Sequence, residues 1–487
     1  MSRSADVVVV GLGTGGAVIA ARLAAAGARV VALEAGPDPG PYGSERWPAD
    51  LLDGERVGSS NDWGYDGPAA DGRTLPFPRA RVVGGCSTHN GCTQSIGWRG
   101  DWDDWGTASA GWSSGDVREH VERAAKQLRI RQPARAELQP LQLAFLDAAT
   151  AAGIEHRDDL LDVDGGAGVA ISPVNSPDEV RWNTAFAYLD PLRASPSLSI
   201  YGDAPVERIE LAGDRAVAVS ALVRGQRQRI STDRVILCAG AYGTPEVLLR
   251  SGIGPADHLR SLGIPVVVDL PGVGANLHDH PTALRGFEAT PELAGELDSA
   301  ARVPDEQVLA KLSSGRDAHA APYDLHLFPW TERDPESSTG WRVQIPVALL
   351  HPGSRGSVRL RSRDPLVRAQ LDHGFLRDPE DAARLARGLE AIETLLPRLP
   401  LGRELSEAPN GDLIAWLERN HEHYWHPAGT CAMGAHPDAV VDERARVHGI
   451  ETVQVADASV FPVIPRATTA FPVVIVAERI AELTLRK

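Results

Sequence analysis

The sequence predicts an α/β fold built on a parallel sheet, and three observations carry the prediction. An apolar run, V-V-V-V at residues 7–10, feeds directly into the glycine turn G-L-G-T-G-G at residues 11–16. An alanine-rich helical stretch then stops at Gly27, and a second apolar run at residues 29–33 ends in Glu34. Far along the chain, the strand at residues 234–238 enters another glycine turn and another helix. Strand, glycine turn, helix and second parallel strand form the unit that holds a dinucleotide.

Each element has its own reason. Gly11 makes the turn, Gly13 lets the main chain reach a pyrophosphate, and Gly16 lets the helix pack closely on the strand, while the helix N-terminus turns its positive end to the phosphates. Glu34 stands where a carboxylate accepts hydrogen bonds from a ribose diol. Residues 80–90 read A-R-V-V-G-G-C-S-T-H-N. Gly84 and Gly85 lack Cβ atoms, Cys86, Ser87 and Thr88 keep the volume small, and His89 and Asn90 add a ring nitrogen and an amide, which suits close approach to a large planar ligand. In G-A-Y-G-T-P-E-V-L-L-R-S-G-I-G, residues 240–254, Pro245 is expected near the first turn of a helix and Gly252 at its stop. There follow P-G-V-G-A-N-L-H-D-H (271–280), H-P-A-G-T-C-A-M-G (426–434), D-A-S-V-F-P (457–462) and a final helix over about 472–485.

Composition bounds the rest. A chain of 487 residues, 43% hydrophobic, can bury a large core in two or three structural units. A net charge of −16 argues against a nucleic-acid partner, which needs a basic face. No stretch of about eighteen uncharged apolar residues occurs, so no transmembrane segment is expected. The N-terminus enters the first strand almost at once, which suggests a soluble cytoplasmic protein without a cleaved leader. Cys86, Cys92, Cys238 and Cys431 are scattered, with no CxxC spacing, which fits a reducing compartment and no metal site.

Together these blocks resemble the glucose-methanol-choline (GMC) flavoprotein oxidoreductases over nearly the whole chain. The family patterns GGSSxxN, GAxxSPxLLxxSGIG, PGVGxNLxDH, HPxGTCxMG and DASVxP follow the N-terminal fingerprint in order, with small substitutions. The resemblance implies a Rossmann-like FAD-binding domain of the glucose oxidase type and an α+β substrate domain on an antiparallel sheet. It implies FAD rather than a nicotinamide, with Gly11, Gly13, Gly16 and Glu34 at the ADP half and Gly84, Gly85, Ser87 and Asn90 near the isoalloxazine. Val206 would contact adenine through its backbone, and Asp457 and Ala458 would close over the pyrophosphate and ring. Residues 1–40, 75–105, 200–283 and 427–487 would make the FAD domain, 106–199 and 284–426 the substrate domain, and 41–74 a lid-like connection. Alternating apolar residues at 343–349 and 357–360 suit strands of the antiparallel sheet, with Pro346 expected to mark an edge, and residues 181–189 are expected in the same domain.

Oxidising an alcohol on a flavin requires a base for the hydroxyl proton while hydride leaves the carbon. The resemblance places that base at His426; His421 and His423 are read as packing residues and Trp425 as pocket wall. The family's second catalytic residue, His or Asn, aligns with Ala470, which can neither donate nor accept, so Thr469 or His351 is expected to take the role. The G-G-C-S-T-H-N run is similar to that of choline oxidases, which implies either FAD linked covalently through His89 or a His89 ring packed beside the flavin's dimethylbenzene ring. A quaternary ammonium would need aromatic faces and an acid, for which Trp330, Trp425, Phe328 and Asp324 are candidates. The compact chain also resembles the mycofactocin-associated branch. The donor is therefore a small-molecule alcohol or a reduced mycofactocin-type cofactor, and the acceptor O2 or a respiratory redox partner; a homo-oligomer is compatible with the family. Ala470 keeps two alternatives open, a GMC-fold lyase of the oxynitrilase type and an FAD protein with an unknown donor.

Overall fold

Val7–Val10 is buried at every position and forms the middle of a parallel sheet, because a strand covered on both faces needs a continuous apolar run. The strand order is Val453–Val455, Val235–Leu237, Val7–Val10, Val30–Leu33, Leu198–Tyr201, all parallel. These coordinates are a computed structural model that describes residues 3–317, 321–407, 409 and 411–486; the expected domain limits at residues 1 and 487 lie outside it. Beside the sheet, the helices Thr14–Ala25 and Ala470–Leu485 pack on one another. The antiparallel strands Val206–Ala212, Arg215–Val223 and Gln226–Ser231 form a second layer, edged by Arg3–Ser4.

The other large sheet is antiparallel. Its order is Leu401–Glu404, Pro281–Ala289, Trp341–Leu349, Leu325–Leu327, Val308–Leu312, Gly168–Ile171, with Trp330–Arg333 paired to Trp341–Leu349 and His421–His423 paired to Pro281–Ala289. Val343, Ile345, Val347 and Leu349 point into a core completed by Leu385, Leu389 and Ile392 of the helix Pro379–Leu395.

Four expectations need correction. Pro346 does not mark an edge: Trp341–Leu349 is paired on both sides. On one side its neighbour is interrupted between Leu327 and Trp330, and Phe328 N–H points at the Pro346 carbonyl (3.5 Å) across that gap. The missing N–H of Pro346 therefore falls where no ladder bond is needed. Ser357–Arg359 lies outside the large sheet and pairs with Gln370–Asp372 alone. The segment Ala185–Leu189 and the helix Ser114–Gln127, expected in the substrate domain, pack into the first core through Ala185, Tyr188 and Leu189 and through Val117 and Ala124. Finally, the helix Gly240–Arg250 starts early enough to put Pro245 in its interior. That leaves the Ala241 carbonyl without its helical donor, and the Thr430 hydroxyl supplies one at 2.6 Å.

One carboxylate ties distant segments of the first core together. Glu478, 1% exposed, accepts from Arg22 Nε (2.9 Å) and Nη2 (2.6 Å) and from the Tyr188 hydroxyl (2.9 Å). It links the first helix, the Ala185–Leu189 segment and the last helix. Among the described residues, no helix is long and apolar enough to cross a membrane. Glu478→Ala is expected to destabilise the protein by about 3 kcal/mol, since it strands a buried hydroxyl and a guanidinium. Glu478→Gln should recover much of that loss. Urea unfolding of the two variants checks the order, and equal stability would deny the carboxylate this role.

Candidate active site

Steric necessity explains most of the glycines at the carboxyl ends of the parallel strands. Gly11 has φ +86°, and a Cβ there would lie 2.5 Å from the Cys238 carbonyl oxygen; a Cβ on Gly16 would lie 1.9 Å from the Gly11 oxygen. Gly85, at φ +52°, passes so close to the first turn that its Cβ would sit 2.4 Å from Gly13 Cα. Gly84 N–H donates to the Leu12 carbonyl at 2.7 Å and closes the two turns together.

Gly13 is different. Its φ is −74°, which any residue adopts, and the nearest atom to a Cβ there is 3.6 Å away. Nothing in the protein requires this glycine, so the space beside it fits a ligand. The helix Thr14–Ala25 opens here with no side-chain cap and no acid in its first turn, leaving its first N–H groups for an anion. Against the same turn, Glu34, 6% exposed, accepts from Leu12 N–H and Gly36 N–H, each at 2.9 Å, and burial pushes its carboxyl up. Uncapped donors, a gap at Gly13 and a placed carboxylate fit the pyrophosphate and ribose of FAD.

The flanking side chains are largely spent on architecture. Ser87 Oγ donates to the Gly84 carbonyl (2.6 Å) and accepts from Thr184 N–H (3.0 Å), and Thr88 Oγ1 donates to the Gly85 carbonyl (2.8 Å). Asn90 Oδ1 accepts from Cys92 N–H at 3.3 Å. Asp457 accepts from Gly240 N–H (2.9 Å), Thr244 Oγ1 (2.5 Å) and Ser459 N–H (2.8 Å), so its carboxylate caps the helix Gly240–Arg250 and the turn Ala458–Val460. The Asp457 carboxylate is thus engaged within the protein, and the Ala458 beside it is partly exposed. Val206 is buried at the start of its strand. His89 is buried as well, with Nε2 2.7 Å from the Ser60 carbonyl oxygen. A carbonyl only accepts, so Nε2 carries the proton and Nδ1 the lone pair.

On the substrate side, histidines gather where His421–His423 runs along Pro281–Ala289. His278, His280, His326, His373, His421 and His423 are buried, whereas His426 keeps partial access to solvent. Burial pushes every one of them down, His421 to about 4 and His423 and His280 each to about 3; His426 falls well below the ordinary value, with His280 and Arg79 adding to the effect. His426 Nδ1 lies 3.0 Å from His280 Nδ1. Asp279 Oδ1 accepts from the main-chain N–H of both His280 (2.7 Å) and His426 (2.9 Å), and burial pushes this carboxyl up to about 7. The Tyr424 ring stands 4.4 Å from that of His426, centre to centre.

The residues proposed to assist are placed as follows. Thr469 caps the helix Ala470–Leu485 without bonding to it through its side chain, and Ala470 is partly exposed. His351 follows Trp341–Leu349, its carbonyl accepting from Arg384 Nη1 at 2.7 Å. The ring that meets His426 is that of His280, which the sequence reading did not single out; the D-H pair ending P-G-V-G-A-N-L-H-D-H was the available signal. Asp324 is withdrawn from any ammonium site, because its carboxylate is fully buried and held by Ser314 N–H (2.6 Å), Ser314 Oγ (2.6 Å) and Arg384 (2.8 Å). Trp425 is 41% exposed, and Phe328 stacks on Tyr424 at 5.0 Å.

The parallel sheet and its glycine turns define a protein built to bind a dinucleotide. The sequence matches the GMC oxidoreductase family over residues 5–282 and 352–477. It is 32% identical to a GMC-type oxidoreductase of Rhodococcus erythropolis, covering 99% of this chain and 98% of that one. It is 30% identical to choline oxidase of Arthrobacter globiformis, covering 99% and 94%. In three dimensions it superposes on pyridoxine 4-oxidase from Mesorbium loti with a TM-score of 0.87 at 27% identity, covering 98% of each chain. The chain belongs to the GMC oxidoreductase family and is an FAD-dependent oxidoreductase.

The two glycines separate steric need from ligand need. Gly16→Ala is expected to destabilise the apoprotein by about 1–3 kcal/mol. Gly13→Ala should leave apoprotein stability within about 0.5 kcal/mol and weaken FAD binding about tenfold or more. Flavin titration with urea unfolding of both apoproteins checks this; normal FAD affinity in Gly13→Ala would move the pyrophosphate elsewhere.

Proposed function

We propose that the protein oxidises a CH–OH donor, with His426 taking the hydroxyl proton. The observation that supports this most is that, in a cluster of buried histidines, His426 is the one with solvent access and is held neutral. A neutral imidazole is the form that accepts a proton. FAD, when bound, supplies the two-electron acceptor for the hydride leaving the carbinol carbon. Asp279 fixes the His426 main chain and Tyr424 packs on its ring, so the acceptor nitrogen is held in place. Choline oxidase and an alcohol dehydrogenase of Pseudomonas putida among the relatives support an alcohol as donor.

The partly exposed methyl of Ala470 supports a second donor class. A small residue where the family carries a polar one leaves space for a bulky donor such as a reduced mycofactocin-type cofactor. Anaerobic mixing with simple alcohols, choline, pyridoxine and such a reduced cofactor should bleach the flavin with one of them. Aldehyde and cyanide released from an added cyanohydrin while the flavin stays oxidised would instead assign a lyase.

His426→Ala is expected to bind FAD normally and slow flavin reduction by about 10²-fold or more. Unchanged reduction would remove His426 from the chemistry. The ring's proton affinity also sets a pH profile. Because burial holds His426 well below 6.5, protonation inactivates the base only as pH falls beneath that value. The reduction rate should stay level down through pH 6.5, and an acid limb centred at 6.5 or above would contradict the assignment.

For His89, the lone pair on Nδ1 supports a covalent link to the flavin methyl group. Such a link would replace a C–H bond of that methyl group by a C–N bond from His89, with the proton released to solvent and the electron pair taken by an oxidant such as O2. Acid precipitation of the holoprotein should leave the yellow colour in the pellet; colour released to the supernatant would rule the link out.

A further inference from the structure

The contact between His280 and His426 fixes more than a distance. Two imidazole nitrogens 3.0 Å apart share one proton, so one ring donates and the other accepts. The far side of His280 decides which. The carbonyls of Leu350 and Pro465 face its ring, and its Nε2 is buried without a partner in good hydrogen-bond geometry. Carbonyls accept and never donate, and Nδ1 is the nitrogen engaged by His426, so the carbonyls favour a proton on the remaining nitrogen, Nε2, of a neutral His280. Its Nδ1 is then the lone-pair nitrogen, and His426 Nδ1 must carry the shared proton.

We propose that His280 is a positioning residue that holds His426 in its Nδ1–H tautomer, so that the Nε2 lone pair is the one presented to the donor hydroxyl. The inference rests on the reading of His426 as base and explains how that base stays usable. Neutral imidazole has one basic nitrogen, and the other tautomer would turn an N–H toward the donor. Two further features hold the pair. Asp279 Oδ1 accepts both main-chain N–H groups, clamping the two residues to one oxygen. The rings stand nearly perpendicular, 5.2 Å apart at 85°, with their Nδ1 atoms in contact.

The surroundings favour a neutral acceptor. His280 is fully buried and pushed down to about 3, with Arg466 adding to the effect. Around His426, the cation Arg79 and the rings of His280, His326 and His423 all disfavour a positive charge. Asp279 is the facing acid, itself pushed up to about 7 with Arg79 opposing the rise. Neither ring is therefore charged at neutral pH, and a single proton sits between them.

The test compares His280→Phe, which keeps ring volume and loses the acceptor, with His280→Asn, whose amide oxygen can accept from His426. Both are made as FAD-loaded full-length protein with 15N-labelled histidine. Nitrogen NMR should show His426 with Nδ1 protonated in the wild type and in His280→Asn, and a shift toward the Nε2–H tautomer in His280→Phe. Anaerobic flavin reduction should slow about tenfold or more in His280→Phe, with the donor concentration for half-maximal rate little changed, and recover in His280→Asn. An unchanged His426 tautomer in His280→Phe overturns the proposal, as does equal loss in both variants. Should His280→Phe fail to fold, loss of the Nδ1–H form in His280→Asn would also overturn it. The NMR signal does not depend on turnover, so it stays informative even if His426→Ala shows that this histidine is not the base.

Discussion

Two glycine turns, around Gly13 and around Gly85, press main chain against main chain, and the arrangement of the whole reactive face follows from that contact. A Cβ on Gly85 would intrude to 2.4 Å from Gly13 Cα. Even one methyl group there would part the parallel sheet from residues 84–90. The Leu12 carbonyl accepting from Gly84 N–H at 2.7 Å locks the approach, and Glu34 stiffens the same turn through Leu12 N–H. What these turns offer a cofactor is backbone and shape more than side chains. Ser87 and Asp457 use their side chains to build the walls of the cradle.

A second constraint is electrostatic. The histidines gathered around residues 278–280 and 421–426 sit where burial disfavours charge, and two of them have their proton positions set by partners that can only donate or only accept. His278 Nε2 accepts from Ile464 N–H at 2.9 Å while Nδ1 donates to the Asn276 carbonyl at 2.6 Å. His423 Nε2 donates to the Pro76 carbonyl at 2.8 Å and Nδ1 accepts from Trp425 N–H at 3.1 Å. Trp425 has φ +61°, and bonds at each end, including Arg79 to its carbonyl at 2.8 Å, hold that strained residue next to His426. Neutral, tautomer-fixed imidazoles at His278 and His423 thus act as rigid struts that hold residues 423–425 and 462–464 in place.

Sequence alone exposed the cofactor half of this architecture well, because its signals are local. Glycine spacing, a four-valine strand and an acid after the second strand all lie within residues 7–34. The antiparallel sheet was legible in the alternation around residues 343–349, yet Pro346 misled, since whether a proline marks an edge depends on what its neighbour strand does. Pro245 misled in the same way: the carbonyl it orphans is met by Thr430, some 190 residues on. His280 was invisible for a related reason. Its partner is 146 residues away in sequence, and both histidines of the loop are buried, so only the tertiary fold decides which of them meets His426. The side-chain commitments of Asp324 and Asp457 are likewise tertiary facts.

At the centre of the account is the claim that the carbinol C–H bond breaks at the His426 face of the cradle as the hydroxyl proton leaves. The most direct measurement is single-turnover anaerobic reduction of the bound flavin with the bleaching donor, compared with the same donor deuterated at the carbinol carbon, both at saturation. The expected result is slower reduction with deuterium in the wild type. Equal rates with the two donors in the reductive step itself would contradict the claim.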